Sequence, residues 1–425
     1  MIPESFSEDV VQSLRGPEWL AKRRAEAYRR WEAMPQPSSA DEIWRYSRID
    51  DFDLGSYRPA HITEFDRDGV SACSALAVEL GDSPVGTVWV HNGRVLEATV
   101  QEMWAEAGVR IGEAEGAAPD ALGIGTDASP DWFSLLNDAM TPAVVHVEVP
   151  PGVFLGGPIK ILHWADGEGA AGFPRVVIDV GEGADVQVLE VFLSSPERSL
   201  SVPVTECRVC PGGRLNYLAV QRAEKSAWQV GFWRASLDRD AVASFGAVTL
   251  GGSYARLRAE VALEGRGADA TLSAAYLGGG DQMIDLRTLQ DHIAEQTTSS
   301  LTFKGAVAQS SESVYSGLIR VGPDADKSSA HQSNVTLKLS PDSLAESVPN
   351  LEIETDDVQC SHASAIGPVD EQLRYYLETR GIPAARAEEV IVRGFFHDIF
   401  TNLPLRLTGG RLDAAVQQVL QEALS

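Results

Sequence analysis

A cysteine and a histidine near the C-terminal end of the chain are the residues whose types and spacing indicate metal chemistry. Cys360 and His362 stand two positions apart, at the end of a segment with the pattern of an extended chain. Residues two apart on a β-strand point to the same side, so a strand here would present a thiolate and an imidazole together. Sulfur and nitrogen ligands of this kind suit iron or zinc.

Two such ligands would not complete a site for an iron–sulfur cluster, which needs about four. The remaining ligands would have to come from elsewhere, and another subunit is the natural source. The alternative is that Cys360 and His362 pack beside Val358 as ordinary strand residues, because buried cysteine is common in protein cores. The spacing by itself leaves both interpretations open.

Two acidic residues directly upstream, Asp356 and Asp357, are candidates for the acid pair of an enzyme that cleaves polysaccharides. Adjacent residues of a strand face apart, however, whereas glycoside-cleaving sites need facing carboxylates about 5–9.5 Å apart. We therefore expect a bulge or a turn at this point, where the last strand leaves the stack.

The other possible motifs favour a structural interpretation. Cys207 and Cys210 form a C-x-x-C, but redox pairs of this type open a helix, and residues three apart on a strand face opposite sides. His292 and His331 are isolated, as expected for ladder or surface histidines. The sequence contains no nucleophile elbow, no HExxH and no phosphate-binding lysine loop.

Composition excludes several classes of protein. The 425 residues suffice for two or three domains, and the formal net charge of −26 opposes binding to nucleic acid or anionic membranes. Apolar runs are too short for a membrane span, and the N-terminus lacks the order of a secretory signal. The sparse cysteines suit a reducing compartment, so we expect a cytoplasmic protein. The four cysteines are Cys73, Cys207, Cys210 and Cys360.

The middle of the chain, from about residue 142, is rich in strand patterns and repeats a unit. In each copy an apolar strand, a turn with glycine or aspartate and a second apolar strand follow one another. The turn residues Gly183, Gly213, Asp240 and Gly267 are spaced 30, 27 and 27 apart, after which the spacing loosens. Such a period without intervening helices predicts stacked coils. The expected fold is mainly β, a right-handed parallel β-helix flanked by α-helical regions.

Helical patterns occupy both ends of the chain. Residues 5–35 have apolar residues at helical spacing, and a short helix is expected at 132–140 after a flexible loop at 114–131. Near the other end, Asp370 can cap a helix that Gly381 ends. A second helix is expected from about 384 to 400, and a third after Gly409 and Gly410.

The segment around Cys360 resembles the SufD family of the SUF machinery, which assembles iron–sulfur clusters. The resemblance departs from the family pattern at Ala363, where glycine is usual, and at Thr379, where serine is commoner. An N-terminal resemblance supports it through Pro17-Glu18-Trp19-Leu20 and Asp41-Glu42-Ile43-Trp44-Arg45-Tyr46. The matching C-terminal residues are Pro349, Leu351-Glu352-Ile353, Asp356-Asp357-Val358, Cys360-Ser361-His362, Gly367, Asp370, Leu373, Tyr376-Leu377 and Arg380-Gly381-Ile382.

The resemblance implies the same β-helix fold and a function. It implies a non-catalytic scaffold that pairs with a SufB-type subunit through solenoid strands and binds a SufC-type ATPase through C-terminal helices. The partner would hydrolyse ATP, and a transient cluster would form at the interface that includes His362, with Cys360 as the motif cysteine. An isolated chain could form a homodimer. The expected domains are residues 1–140, helical or mixed; 141–366, the β-helix; and 367–425, the ATPase-binding helices.

Two other functions remain as alternatives. The chain could be a SufB-like subunit or a homodimeric relative of SufB and SufD, although Cys207 and Cys210 match no SufB motif. It could also be a β-helix polysaccharide lyase or hydrolase, against which the missing carboxylate cluster argues. Copurification distinguishes them, since a SufD should bring down an ABC-type ATPase and a lyase should not.

Overall fold

Residues 2–60 and 84–405 are described by the computed structural model, and they form a β-solenoid of about eight turns with helices at both ends. The fold is therefore mainly β, as the repeat predicts. The helices are α1 (Glu8–Ser13), α2 (Glu18–Ala33), α3 (Glu102–Glu106), α4 (Trp132–Met140), α5 (Glu371–Thr379) and α6 (Ala384–Thr401), with 3₁₀ turns at Glu4–Phe6, Glu42–Trp44, Ile49–Asp51 and Leu54–Ser56. The strands are β1 (Arg58–Pro59), β2 (Gly86–His91), β3 (Arg94–Val100), β4 (Arg110–Glu113), β5 (Val145–Val149), β6 (Ile159–Ala165), β7 (Ala170–Gly172), β8 (Arg175–Val180), β9 (Asp185–Ser194), β10 (Ser199–Ser201), β11 (Val204–Val209), β12 (Arg214–Arg222), β13 (Trp228–Leu237), β14 (Val242–Thr249), β15 (Tyr254–Leu263), β16 (Asp269–Gly278), β17 (Met283–His292), β18 (Thr298–Val307), β19 (Glu312–Val321), β20 (Ser329–Lys338), β21 (Leu344–Ile353) and β22 (Gln359–Pro368).

The coils stack into two sheets with simple topology. In the first sheet the order is β21-β19-β17-β15-β13-β11-β8-β5-β4, and in the second it is β22-β20-β18-β16-β14-β12-β9-β6-β2-β3. Neighbouring strands are parallel and in register, except that β4 and β3 are antiparallel to β5 and β2. Each coil thus gives one strand to each sheet, and side chains that point inward form one continuous core.

The coil corners explain the repeat and correct one of its residues. Gly183, Asp240 and Gly267 have φ values of +63°, +55° and +76°, but the second corner is Gly212 at +63° and not the predicted Gly213. Each corner N–H donates to a carbonyl of the following coil, as from Gly183 to the Pro211 oxygen at 3.0 Å. A backbone with φ in this region favours glycine because it has no Cβ.

The repeat also continues beyond the point where the sequence pattern loosens. Gln296 and Lys327 occupy the next two corners, with φ of +59° and +61°. Their N–H groups donate to the Asp326 and Asp357 oxygens at 2.8 and 2.6 Å, which is the same corner bond. Glutamine and lysine are not turn-forming residues by composition, so stacking against the neighbouring coils selects this conformation and the sequence gives no signal of it.

The N-terminal helices and the loop at 114–131 cover the outer face of the first sheet. Trp31 of α2 and Trp132 of α4 pack with ring centroids 5.2 Å apart, and α4 spans the range predicted for it. The buried Glu206 carboxylate accepts the N–H groups of Gly123 at 2.8 Å and Gly125 at 2.7 Å, and it contacts Arg175. This part of the loop, expected to be flexible, is therefore fixed to the sheet.

The C-terminal helices follow directly from the last strand. Asp370 accepts the N–H of Gln372 at 2.8 Å and so caps α5 as predicted, and α6 packs on the outer face of the second sheet. Lys304 of β18 reaches Asp398 of α6 at 2.7 Å. The third helix expected after Gly409 lies outside the described residues.

Strands β2, β3 and β4 extend the two sheets beyond the first coil, although they precede residue 141. The domain boundaries at 140 and 366 remain a prediction for this reason. Within the described ranges no helix is long and apolar enough to cross a membrane.

Candidate functional site

The candidate site lies on β22, the last strand of the second sheet. Cys360 and His362 are paired in register with Ala330 and Gln332 of β20. Those two partners are 2% and 0% exposed, so they face the interior of the solenoid. Because in-register neighbours on parallel strands point the same way, Cys360 and His362 share the inner face, and the expectation that they lie on one side of a strand is confirmed.

The Cys360 side chain is half-buried on the inner face of β22. It packs against the apolar cluster that contains Ile319 and Val321 of β19 and Ala330. Burial raises the pKa of the Cys360 thiol, and a hydrogen bond with the Ala330 backbone opposes the shift only in part. The thiol therefore keeps its proton near neutral pH in the isolated chain, and a positive charge would have to approach before a thiolate ligand formed.

His362 has an unusual position for a residue on the core face, because it is exposed. Its pair partner Gln332 is covered by β22, whereas no further strand follows β22 in the second sheet. On the opposite face of the same strand, Ser361 lies 2.8 Å from the Nδ1 of His331. His331 is thus an exposed outer-face histidine, and it is separated from His362 by the thickness of the strand.

The open end of the solenoid consists of two strands of ten residues each, β21 and β22. Both are terminal in their sheets, so each has a row of backbone groups without a strand partner in the described part of the chain. Leu344, Ile353 and Ile366 on these strands are 56%, 44% and 41% exposed. An exposed apolar edge of this length is a surface on which another chain could add its strands.

The two acids before the site occupy a bend between β21 and β22. Asp356 and Asp357 are exposed, and the Asp357 carbonyl accepts the corner N–H of Lys327. They form the last corner of the stack, so the predicted turn is confirmed, but β22 continues the stack after it. The two acids do not form a facing pair of carboxylates. The hypothesis of polysaccharide cleavage at this position has no support in the geometry.

Cys207, Cys210 and His292 have structural positions, whereas Cys73 lies outside the described residues. Cys207 is buried in the core and burial raises its thiol pKa, while Cys210 follows the end of β11; both are free thiols. His292 is buried between Thr297 and Ser299, each 2.7 Å away, and burial lowers its pKa to about 4. Among residues 2–60 and 84–405, no group of three His, Cys, Asp or Glu side chains could hold a metal ion.

Polar residues line the interior next to the site, and the sequence analysis did not identify them. Gln290 and Gln332 are both fully buried, as is Asn334, whose Nδ2 donates to Ser347 at 3.0 Å. In a strand these residues occupy the alternate positions that are apolar in other coils. A signal was therefore present, since polar residues interrupt the inward positions of β17 and β20, but it needs the strand register to be seen.

The helices next to the site also expose apolar side chains. Leu373, Tyr375 and Tyr376 on α5 are 45%, 69% and 52% exposed, and Val390 on α6 is 41% exposed. The inner face of α6 is buried on the second sheet through Val392, which is 0% exposed. The pair of helices thus has one face on the solenoid and another free in the described structure.

Comparison with known proteins agrees with this architecture. The family model described as the SufBD core domain of SUF system FeS cluster assembly matches residues 163–395, more than half of the chain. A SufBD family iron–sulfur cluster assembly protein of Mycobacterium tuberculosis is 28% identical over 423 residues, covering 95% of both chains. The chloroplast protein ABCI7 of Arabidopsis thaliana is 25% identical, over 88% of this chain and 80% of its own. The assembly protein SufD of Escherichia coli is 25% identical over 68% of each chain. With the solenoid, its open edge and this match together, the chain belongs to the SufBD family of the iron–sulfur cluster assembly system.

Proposed function

We propose that the chain is a non-catalytic scaffold subunit of the SufD type, which pairs with a SufB-type subunit at its open end. The observation that carries the proposal is the placement of Cys360 and His362 on the inner face of an uncovered terminal strand. Side chains in that position become enclosed only when strands of another chain continue the two sheets. The two potential ligands then face the partner, which can supply the remaining ligands of a cluster.

The cluster is the cargo of this site. The described residues offer fewer than three metal-binding side chains together, so the chain would hold a cluster only jointly and transiently. His362 can supply a nitrogen ligand without rearrangement because it is exposed. Cys360 would follow once charge from the incoming iron lowers its raised pKa.

The C-terminal helices are the proposed docking surface for a SufC-type ATPase. Tyr375, Tyr376 and Leu373 give α5 an exposed apolar face, and α6 fastens the pair to the second sheet, which ends in β22. An ATPase bound there would act on the same sheet that carries His362. ATP would be hydrolysed by that partner in the cytoplasm, which is the compartment the sparse cysteines suit.

The decisive experiment is the His362→Ala variant, coexpressed with SufB-type and SufC-type partners and reconstituted anaerobically with iron and sulfide. Loss of a ligand at a shared site should lower the cluster yield by roughly 10–100-fold, while copurification stays unchanged. His331→Ala is the matched control, since His331 lies on the outer face and should leave the yield unaffected. A normal cluster yield from His362→Ala would contradict the proposal.

A SufB-like or homodimeric role is the second candidate, because the open edge would also accept another copy of this chain. Copurification separates the two. A complex with a distinct SufB-type chain supports the scaffold role, whereas a stable homodimer that forms clusters with the ATPase alone supports the alternative.

A further inference from the structure

Gln332 is a buried polar residue whose position the features described so far do not explain. Its side chain is 0% exposed, and neither the amide nitrogen nor the amide oxygen has a hydrogen-bond partner among the described residues. A buried polar group left unpaired costs about 1–3 kcal/mol. Such a residue is expected to have a partner in the state in which the protein works.

Other buried glutamines of the solenoid show how a structural glutamine is satisfied. Gln221 donates to the Gly251 oxygen at 3.1 Å and accepts the Gly251 N–H at 3.0 Å. Gln282 likewise donates to the Gly252 oxygen and accepts the Gly279 N–H, both at 2.9 Å. In each case both ends of the amide have a backbone partner, and at least one of these partners lies in a neighbouring coil. Gln332 has the same burial without this bonding.

Within the second sheet, His362 is the neighbour of Gln332 that can form a hydrogen bond. In the second sheet its in-register neighbours are Leu301 on one side and His362 on the other. Leucine cannot hydrogen-bond, whereas imidazole has both a donor and an acceptor when neutral. Adjacent strands lie about 4.7–4.9 Å apart, so an amide and a ring on the same face are within reach of one another after a rotamer change.

We infer that Gln332 is a positioning residue for His362. Its amide bonds the ring nitrogen nearer the solenoid, which fixes the tautomer and turns the other nitrogen toward the partner subunit and the cluster. Residues behind metal-binding histidines act in this way in general. The inference rests on the proposed function for the role of His362, but the proposed bond joins two residues of this chain.

The test compares Gln332→Leu with Gln221→Leu in the full-length chain. Both variants remove a buried amide at nearly constant volume. Long-range ¹H–¹⁵N spectra of histidine-labelled protein, recorded where imidazole is neutral and assigned with His362→Ala, report the His362 tautomer. We expect one dominant tautomer in the wild type and in Gln221→Leu, and a changed ratio in Gln332→Leu. Gln332→Met provides the same comparison if the leucine variant does not fold.

Two further measurements separate positioning from mere packing. Denaturant unfolding should show that Gln332→Leu loses less stability than Gln221→Leu, because the Gln332 amide bonds one exposed ring whereas both ends of the Gln221 amide are bonded inside the core. Cluster yield with the partner subunits should fall about tenfold in Gln332→Leu and stay normal in Gln221→Leu.

Each outcome decides a separate question. An unchanged His362 tautomer in Gln332→Leu overturns the inference, and so does a changed tautomer with a normal cluster yield. A normal yield from His362→Ala overturns the proposed function instead, and in that case the spectra still show whether the amide holds the ring.

Discussion

The two ends of the solenoid differ in what fills them and in how their sheets end. At the N-terminal end the inner positions are mostly aliphatic, as with Val147, Ile161 and Ile178, each 0% exposed, and the buried polar pair there, His163 and Glu190, is bonded at 2.7 Å. The short antiparallel strands β3 and β4 close the sheets there. At the C-terminal end, Gln290 and Gln332 occupy inner positions, and two ten-residue parallel strands stay open.

This difference shows which end is complete in the single chain. Aliphatic side chains stabilise a coil without hydrogen-bond partners, since each buried one contributes roughly 1.5–3 kcal/mol to the free energy of unfolding. Buried polar side chains stabilise it only if each of their polar groups has a hydrogen-bond partner. The incomplete bonding at the open end is consistent with a surface that a partner completes, and four predictions test the contrast.

Loss of Glu206 should have the largest effect on stability. Glu206→Ala leaves the buried Arg175 with Asp138 as its remaining carboxylate at 2.7 Å, and it leaves the Gly123 and Gly125 N–H groups unpaired. Breaking a buried ion pair from one side costs about 3–5 kcal/mol. Denaturant unfolding measures this, with Glu148→Ala as the control, because its pair with Arg110 is at the surface and is worth at most about 1 kcal/mol.

Truncation of the aliphatic core should cost more at the closed end than at the open one. Ile178→Ala creates a cavity among fully buried neighbours and should lower the free energy of unfolding by about 2–5 kcal/mol. Leu351→Ala, on the inner face of β21 but only partly buried, should cost clearly less because its site already contacts solvent. Equal losses measured in urea would remove the distinction between the ends.

The buried His292 predicts a pH dependence of stability from the open half of the core. Burial lowers its folded-state pKa to about 4, below the unfolded value near 6.5. The folded state thus binds a proton less readily than the unfolded state. The contribution of neutral, buried His292 to the free energy of unfolding is therefore fully present above pH 6.5 and is lost as the pH falls toward 4. It amounts to at most about 3 kcal/mol. Unfolding measured between pH 7 and 4 should show a weaker slope in His292→Gln, and an identical slope would refute the assignment.

The smallest effect on stability is expected at the exposed edge, where the effect on pairing should be large. Ile366→Lys, on β22, should change the free energy of unfolding by no more than about 0.5 kcal/mol because the side chain is already 41% exposed. A charge inside the proposed interface should nevertheless prevent pairing with a SufB-type chain. Phe154→Lys is the control, since Phe154 is 66% exposed near the other end. Light scattering of the mixed subunits would show whether only the first variant fails to pair.

Local patterns in the sequence determined much of the architecture. Strand alternation and a period near 28 residues identify stacked coils, and the turn residues Gly183, Asp240 and Gly267 are visible because αL corners favour glycine and tolerate aspartate. Capping by Asp370 fixes the start of α5 for a similarly local reason. Spacing also places Cys360 and His362 on one face, since the side-chain period of a strand is two.

Which face that is depends on the tertiary structure. The sequence of β22 alone does not show which of its two faces points into the solenoid. Its pairing with β20 shows that His362 points inward, beside Gln332. The stacking of neighbouring coils likewise determines the corner conformation of Gln296 and Lys327. The contact between Glu206 and Gly125 joins residues more than 80 positions apart in the chain. The sequence determined that this chain forms coils and carries a cysteine–histidine pair. Packing of coil on coil decided that the pair lies at an open edge, because burial depends on which strand comes next and not on the residues of the strand itself.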